Sequence, residues 1–183
     1  MTKLKVRDSD ELILVQNVYC VGRNYAEHIK EMSYPDIPEE TVVFLKPNTS
    51  VATTPEVVSV PEFKGKKISD NLQNELELVV VIGKDGTSIS EDEAGQFIFG
   101  YCVGIDFTLR DLQTIAKQKG MPWATAKGFM GSAPVSEIVK MDKIITSDSL
   151  ELKLFINGEF KQGGNTSQMI FGVNYLEIGR AHV

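Results

Sequence analysis

Asn74-Glu75-Leu76-Glu77-Leu78-Val79-Val80-Val81-Ile82, closed by Gly83-Lys84-Asp85-Gly86, is the stretch that decides the fold. Residues 75–82 form the strongest strand pattern in the chain, and the glycine-bounded segment after them turns it. Side chains alternate along a strand, so Glu75 and Glu77 share one face while Leu76 and Leu78 share the other. Working outward, residues 100–105 (Gly-Tyr-Cys-Val-Gly-Ile), 18–22 and 41–45 read as further apolar strands. Residues 150–160 alternate around Asn157-Gly158, the strongest short hairpin signal present. Helices are expected at 24–32, with Asn24 as N-cap and Glu27 three residues on, and at 90–96, where Ser90 and Glu93 form a capping-box pattern. A third is expected at 108–119, stopped by Gly120 and Pro122. Strands outnumber helices and many connections look like hairpins, so the expected class is α+β, mostly β, with mixed sheets.

Composition narrows the functional classes. A chain of 183 residues with 42% hydrophobic and 24% charged residues is an ordinary globular composition and fits one domain. The net charge of -6 gives no case for nucleic acid, which needs a clustered excess of Lys and Arg. A bound cation would still let an acidic protein hold an anion. The start of the chain has no apolar h-region, and no apolar run approaches the ~20 residues of a membrane span. A soluble, cytoplasmic protein without a membrane partner is expected. Cys20 and Cys102 each lie in an apolar run with no CxxC spacing, and are expected as buried free thiols.

Several residues can carry chemistry. Paired carboxylates such as Glu75 and Glu77 repel unless water or a cation neutralises them, and hard divalent cations prefer such oxygen ligands. A solvated strand edge is the plainer reading. Asp106 ends the 101–105 apolar run, where a third carboxylate could join the other two; a helix N-cap or turn aspartate fits the local context equally. His28 and Glu31 are three apart on the expected helix, so the carboxylate could fix the imidazole as a base, or the two could form an ordinary exposed pair. Lys127 is a lone cation in an apolar stretch, either snorkelling to the surface or paired with an anion. Arg110 and Gln113 share a helix face one turn beyond Asp106.

The order of these motifs resembles the fumarylacetoacetate hydrolase superfamily over about residues 18–176. The segments are Cys20-Val21-Gly22-Arg23-Asn24-Tyr25, His28 with Glu31, Phe44-Leu45-Lys46-Pro47, Asn74-Glu75-Leu76-Glu77-Leu78, and Ile105-Asp106 with Arg110-Asp111-Leu112-Gln113. Ala126-Lys127-Gly128-Phe129, Asn157-Gly158-Glu159 and the run from Gly164 to Phe171 complete the series. Lys119-Gly120-Met121-Pro122-Trp123 is most similar to the acylpyruvase and oxaloacetate decarboxylase branch. The resemblance implies a mixed β-sheet roll, commonly a homodimer. It implies that Glu75, Glu77 and Asp106 hold Mg²⁺ or Mn²⁺, and that His28 and Glu31 form a water-activating dyad on a lid helix. Lys127, with Arg23, Tyr25, Arg110 and Gln113, would contact a small oxo-acid. The implied activity is metal-dependent cleavage of acylpyruvates or decarboxylation of oxaloacetate through a pyruvate enolate. Alternatives are a fumarylpyruvate-type hydrolase, a 2-hydroxyhepta-2,4-diene-1,7-dioate isomerase, or a non-catalytic binding protein or inactive fragment.

The resemblance stops near Leu176. Residues 178–183 (Ile-Gly-Arg-Ala-His-Val) look like the in-frame translation of a sequencing adapter. The expectation is therefore one incomplete domain over 1–176 followed by a non-native tail, 177–183. Phe171, Val173 and Leu176 are then expected to be unusually exposed, and the tail to be loose.

Overall fold

The computed structural model describes residues 2–25, 39–53, 57–144 and 149–180, with the backbone alone over 177–180. Among the described residues there are fifteen strands and four α-helices, which makes the fold α+β and mostly β. The first strands are β1 (Lys3–Lys5), β2 (Leu12–Leu14), β3 (Val18–Gly22), β4 (Val42–Lys46) and β5 (Val51–Thr53). They are followed by β6 (Glu62–Phe63), β7 (Lys66–Lys67), β8 (Leu72–Gln73), β9 (Leu76–Ile82) and β10 (Ile98–Ile105). The last are β11 (Thr108–Leu109), β12 (Ala133–Val135), β13 (Val139–Lys140), β14 (Glu151–Ile156) and β15 (Glu159–Asn165). The helices are α1 (Glu91–Ala94), α2 (Arg110–Gln118), α3 (Ala124–Lys127) and α4 (Val173–Arg180). No helix of the described residues is long and apolar enough to cross a membrane.

The chain divides into two compact units of three segments each, which interleave along the sequence. The first unit comprises Met1–Cys20, Phe44–Val79 and Val103–Glu137; the second comprises Val21–Val43, Val80–Cys102 and Ile138–Val183.

In the first unit, β1 and β2 pair antiparallel, and Leu4 and Val6 beside them are buried. β12 runs parallel to β5, and Gly104 of β10 faces Val135 across an antiparallel ladder. Leu109, Ala126 and Phe129 form a buried cluster, with Ile68, Leu72, Phe107 and Leu112 packed against it. One expectation fails here. The helix drawn from residue 108 starts at Arg110, because Thr108 and Leu109 pair with Gln73 and Leu72 in a short antiparallel ladder. Burial of Leu109 and that non-local pairing outweigh its local helical pattern.

In the second unit, Gly100 and Tyr101 of β10 pair with Lys140 and Val139 of β13. The expected hairpin is present as β14 and β15, and the turn residues Asn157 (φ 53°) and Gly158 (φ 84°) are both left-handed. Asn and Gly tolerate that conformation, which matches the twist of the flanking strands. The 90–96 helix is the short α1, where Glu93 accepts from both the N–H and the hydroxyl of Ser90, at 3.3 and 2.6 Å. These bonds hold the Glu93 carboxyl below its ordinary range. The side chain of Asn24, the expected helix cap, accepts from Phe171 N at 2.8 Å and donates to Phe171 O at 3.0 Å. The rest of that expected helix lies outside the described residues.

Residues 171–176 also differ from expectation, while residues 181–183 of the expected loose tail and the side chains of 177–180 lie outside what the structure describes. Residues 173–180 are helical, and Phe171 stacks on Tyr175 with ring centroids 5.0 Å apart. Phe171, Val173 and Leu176 are half-buried, as are Val79 and Val81, so they do not stand out as exposed. The helix α4 packs against α1, which gives side chains in this segment a partner.

Candidate active site

The site is assembled within the first unit by backbone pairing. Asp106 N donates to Glu75 O at 2.8 Å, and Glu75 N donates to Asp106 O at 3.3 Å. This reciprocal pair sets the start of β9 against the end of β10, so carboxylates 31 positions apart become neighbours. Lys127 enters from the end of α3, and its side chain is 2% exposed. Its ammonium lies 2.8 Å from Glu75 Oε2 and 2.6 Å from Asp106 Oδ2.

Arg110 opens α2 and binds Glu75 Oε1 through Nη2. It also donates through Nε to Gln73 Oε1 at 2.7 Å and through Nη1 to Gln113 Oε1. On the other side of Asp106, the buried ammonium of Lys46 lies 2.8 Å from Oδ1. It also reaches Ser132 Oγ at 2.9 Å and the main-chain oxygen of Lys127.

These contacts set the electrostatics. Burial alone would raise the Glu75 carboxyl, but Lys127 and Arg110 hold it below the ordinary carboxylate range. At Glu77 the pull of Lys127 is outweighed. Burial of its carboxyl, with Asp106 and then Glu75 nearby, pushes it up to about 8. The residue keeps some exposed surface while its carboxyl is enclosed. Burial draws the Lys46 ammonium down and Asp106 opposes that shift. The Cys20 thiol is pushed up to about 12 by burial and then by Asp106, and Cys102 to about 12 by burial, so neither is a thiolate nucleophile. Both are free, Cys102 buried and Cys20 only half-buried.

Among the described residues, no three His, Cys, Asp or Glu side chains are spaced as a ready set of metal ligands. The ammonium of Lys127 stands between Glu75 and Asp106 instead of the expected convergence on one point. The donor chemistry nevertheless suits a hard divalent cation. Asp106 Oδ1 is buried and meets no neutral donor among the described residues, its contact at 2.8 Å being with the Lys46 ammonium. Glu77 is a carboxyl that only an added positive charge would keep ionised at neutral pH.

Of the sequence-derived candidates, Glu75, Asp106, Lys127, Arg110 and Gln113 are brought together by direct contacts. Glu77 joins them through its electrostatic coupling to Asp106 and Glu75. Arg23 and Tyr25 belong to the second unit, where Tyr25 bridges to Met169. His28 and Glu31 lie outside the described residues. Lys46, Gln73 and Ser132 were assigned no role from the sequence. A lysine closing the apolar run Val42-Val43-Phe44-Leu45 was the available signal for Lys46; nothing local marks Gln73 or Ser132.

The chain is similar to known proteins over most of its length. The chain is 45% identical over 161 residues to the mitochondrial oxaloacetate tautomerase of Bos taurus, covering 88% of this chain and 70% of that protein. It is 39% identical over 164 residues to the mitochondrial oxaloacetate decarboxylase of Dictyostelium discoideum, covering 88% and 72%. The crystal structure of fumarylpyruvate hydrolase from Pseudomonas aeruginosa, in complex with Mn²⁺ and pyruvate, superimposes with a TM-score of 0.86 at 32% identity, covering 95% of this chain and 74% of that one. Residues 17–176 match the fumarylacetoacetate hydrolase C-terminal family, and the chain belongs to that enzyme family.

Proposed function

We propose that the protein is a divalent-metal-dependent enzyme of small 2-oxo acids, whose common step is formation of a pyruvate-type enolate. Oxaloacetate decarboxylation, oxaloacetate keto–enol interconversion and acylpyruvate cleavage all pass through such an enolate. The observation that carries this reading is the buried ammonium of Lys127 between Glu75 and Asp106, with Arg110 on the far oxygen of Glu75. Three cations, Lys46, Lys127 and Arg110, there offset three carboxylates, Glu75, Glu77 and Asp106. A divalent cation then leaves an excess matched to a dianion, the charge of oxaloacetate and of pyruvate enolate alike.

Glu75, Glu77 and Asp106 would hold Mg²⁺ or Mn²⁺, which when bound supplies Lewis-acid polarisation of a 2-oxo oxygen. Lys127 carries N–H donors that can stabilise negative charge as it develops on the substrate. Arg110 spends three of its five N–H donors on Gln73, Gln113 and Glu75, which orients the guanidinium and leaves two for a substrate carboxylate. His28, oriented by Glu31, would take a proton from water in acylpyruvate hydrolysis, a step that decarboxylation and tautomerisation do not need. A homodimer belongs to the same proposal, and either cytoplasm or mitochondrion would suit the chemistry. A fumarylpyruvate-type hydrolase is the second reading, favoured by the likeness to the Mn²⁺- and pyruvate-bound neighbour.

The test is to load the protein with Mn²⁺ and follow oxaloacetate, acetylpyruvate and fumarylpyruvate side by side. Oxaloacetate turnover abolished by EDTA and restored by Mn²⁺ is the expected result; turnover indifferent to EDTA would end the metal reading. His28→Ala should cut acylpyruvate hydrolysis by roughly 10²–10⁴ and oxaloacetate decarboxylation far less. Equal losses in both reactions would remove the water-activating role from His28.

A further inference from the structure

We propose that Lys46 is a positioning residue whose ammonium fixes where Asp106 and Lys127 stand and competes with the divalent cation for Asp106 Oδ1. The inference rests on the reading of the carboxylate cluster as a cation-binding active site.

Lys46 closes β4, and strand alternation puts it on the same face as Phe44. The Phe44 ring lies 4.9 Å from the Lys127 ammonium and 5.5 Å from the ring of Trp123, which precedes α3. Two residues on, the Lys46 side chain is 1% exposed. Its ammonium donates to the main-chain oxygen of Lys127, to Ser132 Oγ and O at 2.9 and 3.2 Å, and to Phe107 O at 3.4 Å. Ser132 Oγ in turn donates to the same Lys127 oxygen at 2.8 Å. One ammonium with three protons thus ties together the segments that carry Asp106, Lys127 and Ser132.

The next residue tightens the same joint. A Cβ at Gly128 would lie 3.1 Å from Pro47 Cδ and 2.9 Å from Ala124 O, so the end of β4 is pressed against the end of α3. β4 therefore grips Lys127 at two points, the ring of Phe44 at its ammonium and the amine of Lys46 at its carbonyl.

Asp106 carries one ammonium on each oxygen, Lys46 on Oδ1 and Lys127 on Oδ2. Two consequences of opposite sign follow from removing the Lys46 charge. A cation gains Asp106 Oδ1 without a competing ammonium, so it binds more tightly. Lys127 loses the anchor on its carbonyl, so its N–H donors drift from the position where substrate charge develops. A variant that was merely destabilised would lose both binding and turnover.

The experiment titrates Mn²⁺ alone into the full chain, with free Mn²⁺ followed by electron paramagnetic resonance, and measures oxaloacetate turnover at saturating Mn²⁺. In Lys46→Met the Mn²⁺ dissociation constant should fall by about tenfold. Its kcat should drop on the order of ten- to a hundredfold, with KM changed by less than about threefold. Lys46→Gln, also uncharged but able to donate hydrogen bonds, should show the tighter Mn²⁺ binding with a smaller loss of kcat. Mn²⁺ binding that is unchanged or weaker in folded variants overturns the proposal, as does an unaltered kcat. Failure of both variants to fold would assign Lys46 to stability alone, which also overturns it. A wild-type chain that binds no Mn²⁺ would instead defeat the underlying reading of the cluster.

Discussion

In the β14–β15 hairpin, Lys161 meets Glu159 at 2.7 Å and Lys153 meets Glu151 at 2.9 Å, and these side chains keep from 46% to 73% of their surface exposed. Around Asp106, Lys127 and Lys46 meet a carboxylate at 2.6 and 2.8 Å, with no side chain of the three more than 8% exposed. The distances are nearly the same and the physics is not. Water screens the hairpin pairs, and holding two long side chains together offsets most of what their attraction contributes. Buried ions have left water, so each depends on its partners and becomes costly once one is removed. Contact distance therefore does not separate a functional cluster from surface decoration in this chain, whereas burial combined with shared partners does.

The largest effect is expected from neutralising the acid that two lysines share. Asp106→Asn should abolish Mn²⁺ binding and lower turnover by at least about 10²–10³. It should also cost about 3–5 kcal/mol of stability in urea unfolding, because Lys46 and Lys127 lose a common counter-charge. A stability change under about 1 kcal/mol would place this cluster with the hairpin pairs.

Glu77 offers a test through pH. Its carboxyl titrates near pH 8 in the folded chain against an ordinary 4.5, so above the lower value the metal-free folded chain keeps a proton that the unfolded chain releases. Stability in EDTA should accordingly decline as pH rises from about 4.5 to about 8 and level off beyond. Mn²⁺ must displace that proton, so its binding should tighten across the same window. Thermal midpoints measured against pH should flatten in Glu77→Gln; an equal slope in both proteins would move the titration to another group.

The smallest effect is expected in the hairpin. Lys161→Ala should shift stability by no more than about 0.5 kcal/mol and leave kcat unchanged. A loss above about 1.5 kcal/mol would mean that the hairpin pairs are not solvated as their exposure indicates.

What was legible in the sequence follows from the range of the forces involved. The strands at 18–22 and 76–82 and the Asn157-Gly158 hairpin were readable because alternation and turn chemistry act within a few residues. Thr108 and Leu109 were misread as helix because their partners, Gln73 and Leu72, lie far away in the chain. The contact of the Asn24 amide with the backbone of Phe171, 147 residues on, had no local signal for the same reason.

The candidate site divides in the same way. Glu75 and Glu77 on one strand face, Arg110 and Gln113 on one helix face, and the ordered motifs that mark the family were all present in the one-dimensional chain. Which cation faces which carboxylate was decided only by the tertiary structure. Lys127 reaches Glu75 across 52 residues and Asp106 across 21, and Lys46 reaches the carbonyl of Lys127 across 81. No local propensity specifies such pairings. They form because strand pairing and core packing first take these groups out of water, after which a buried charge is tolerated only where an opposite one meets it.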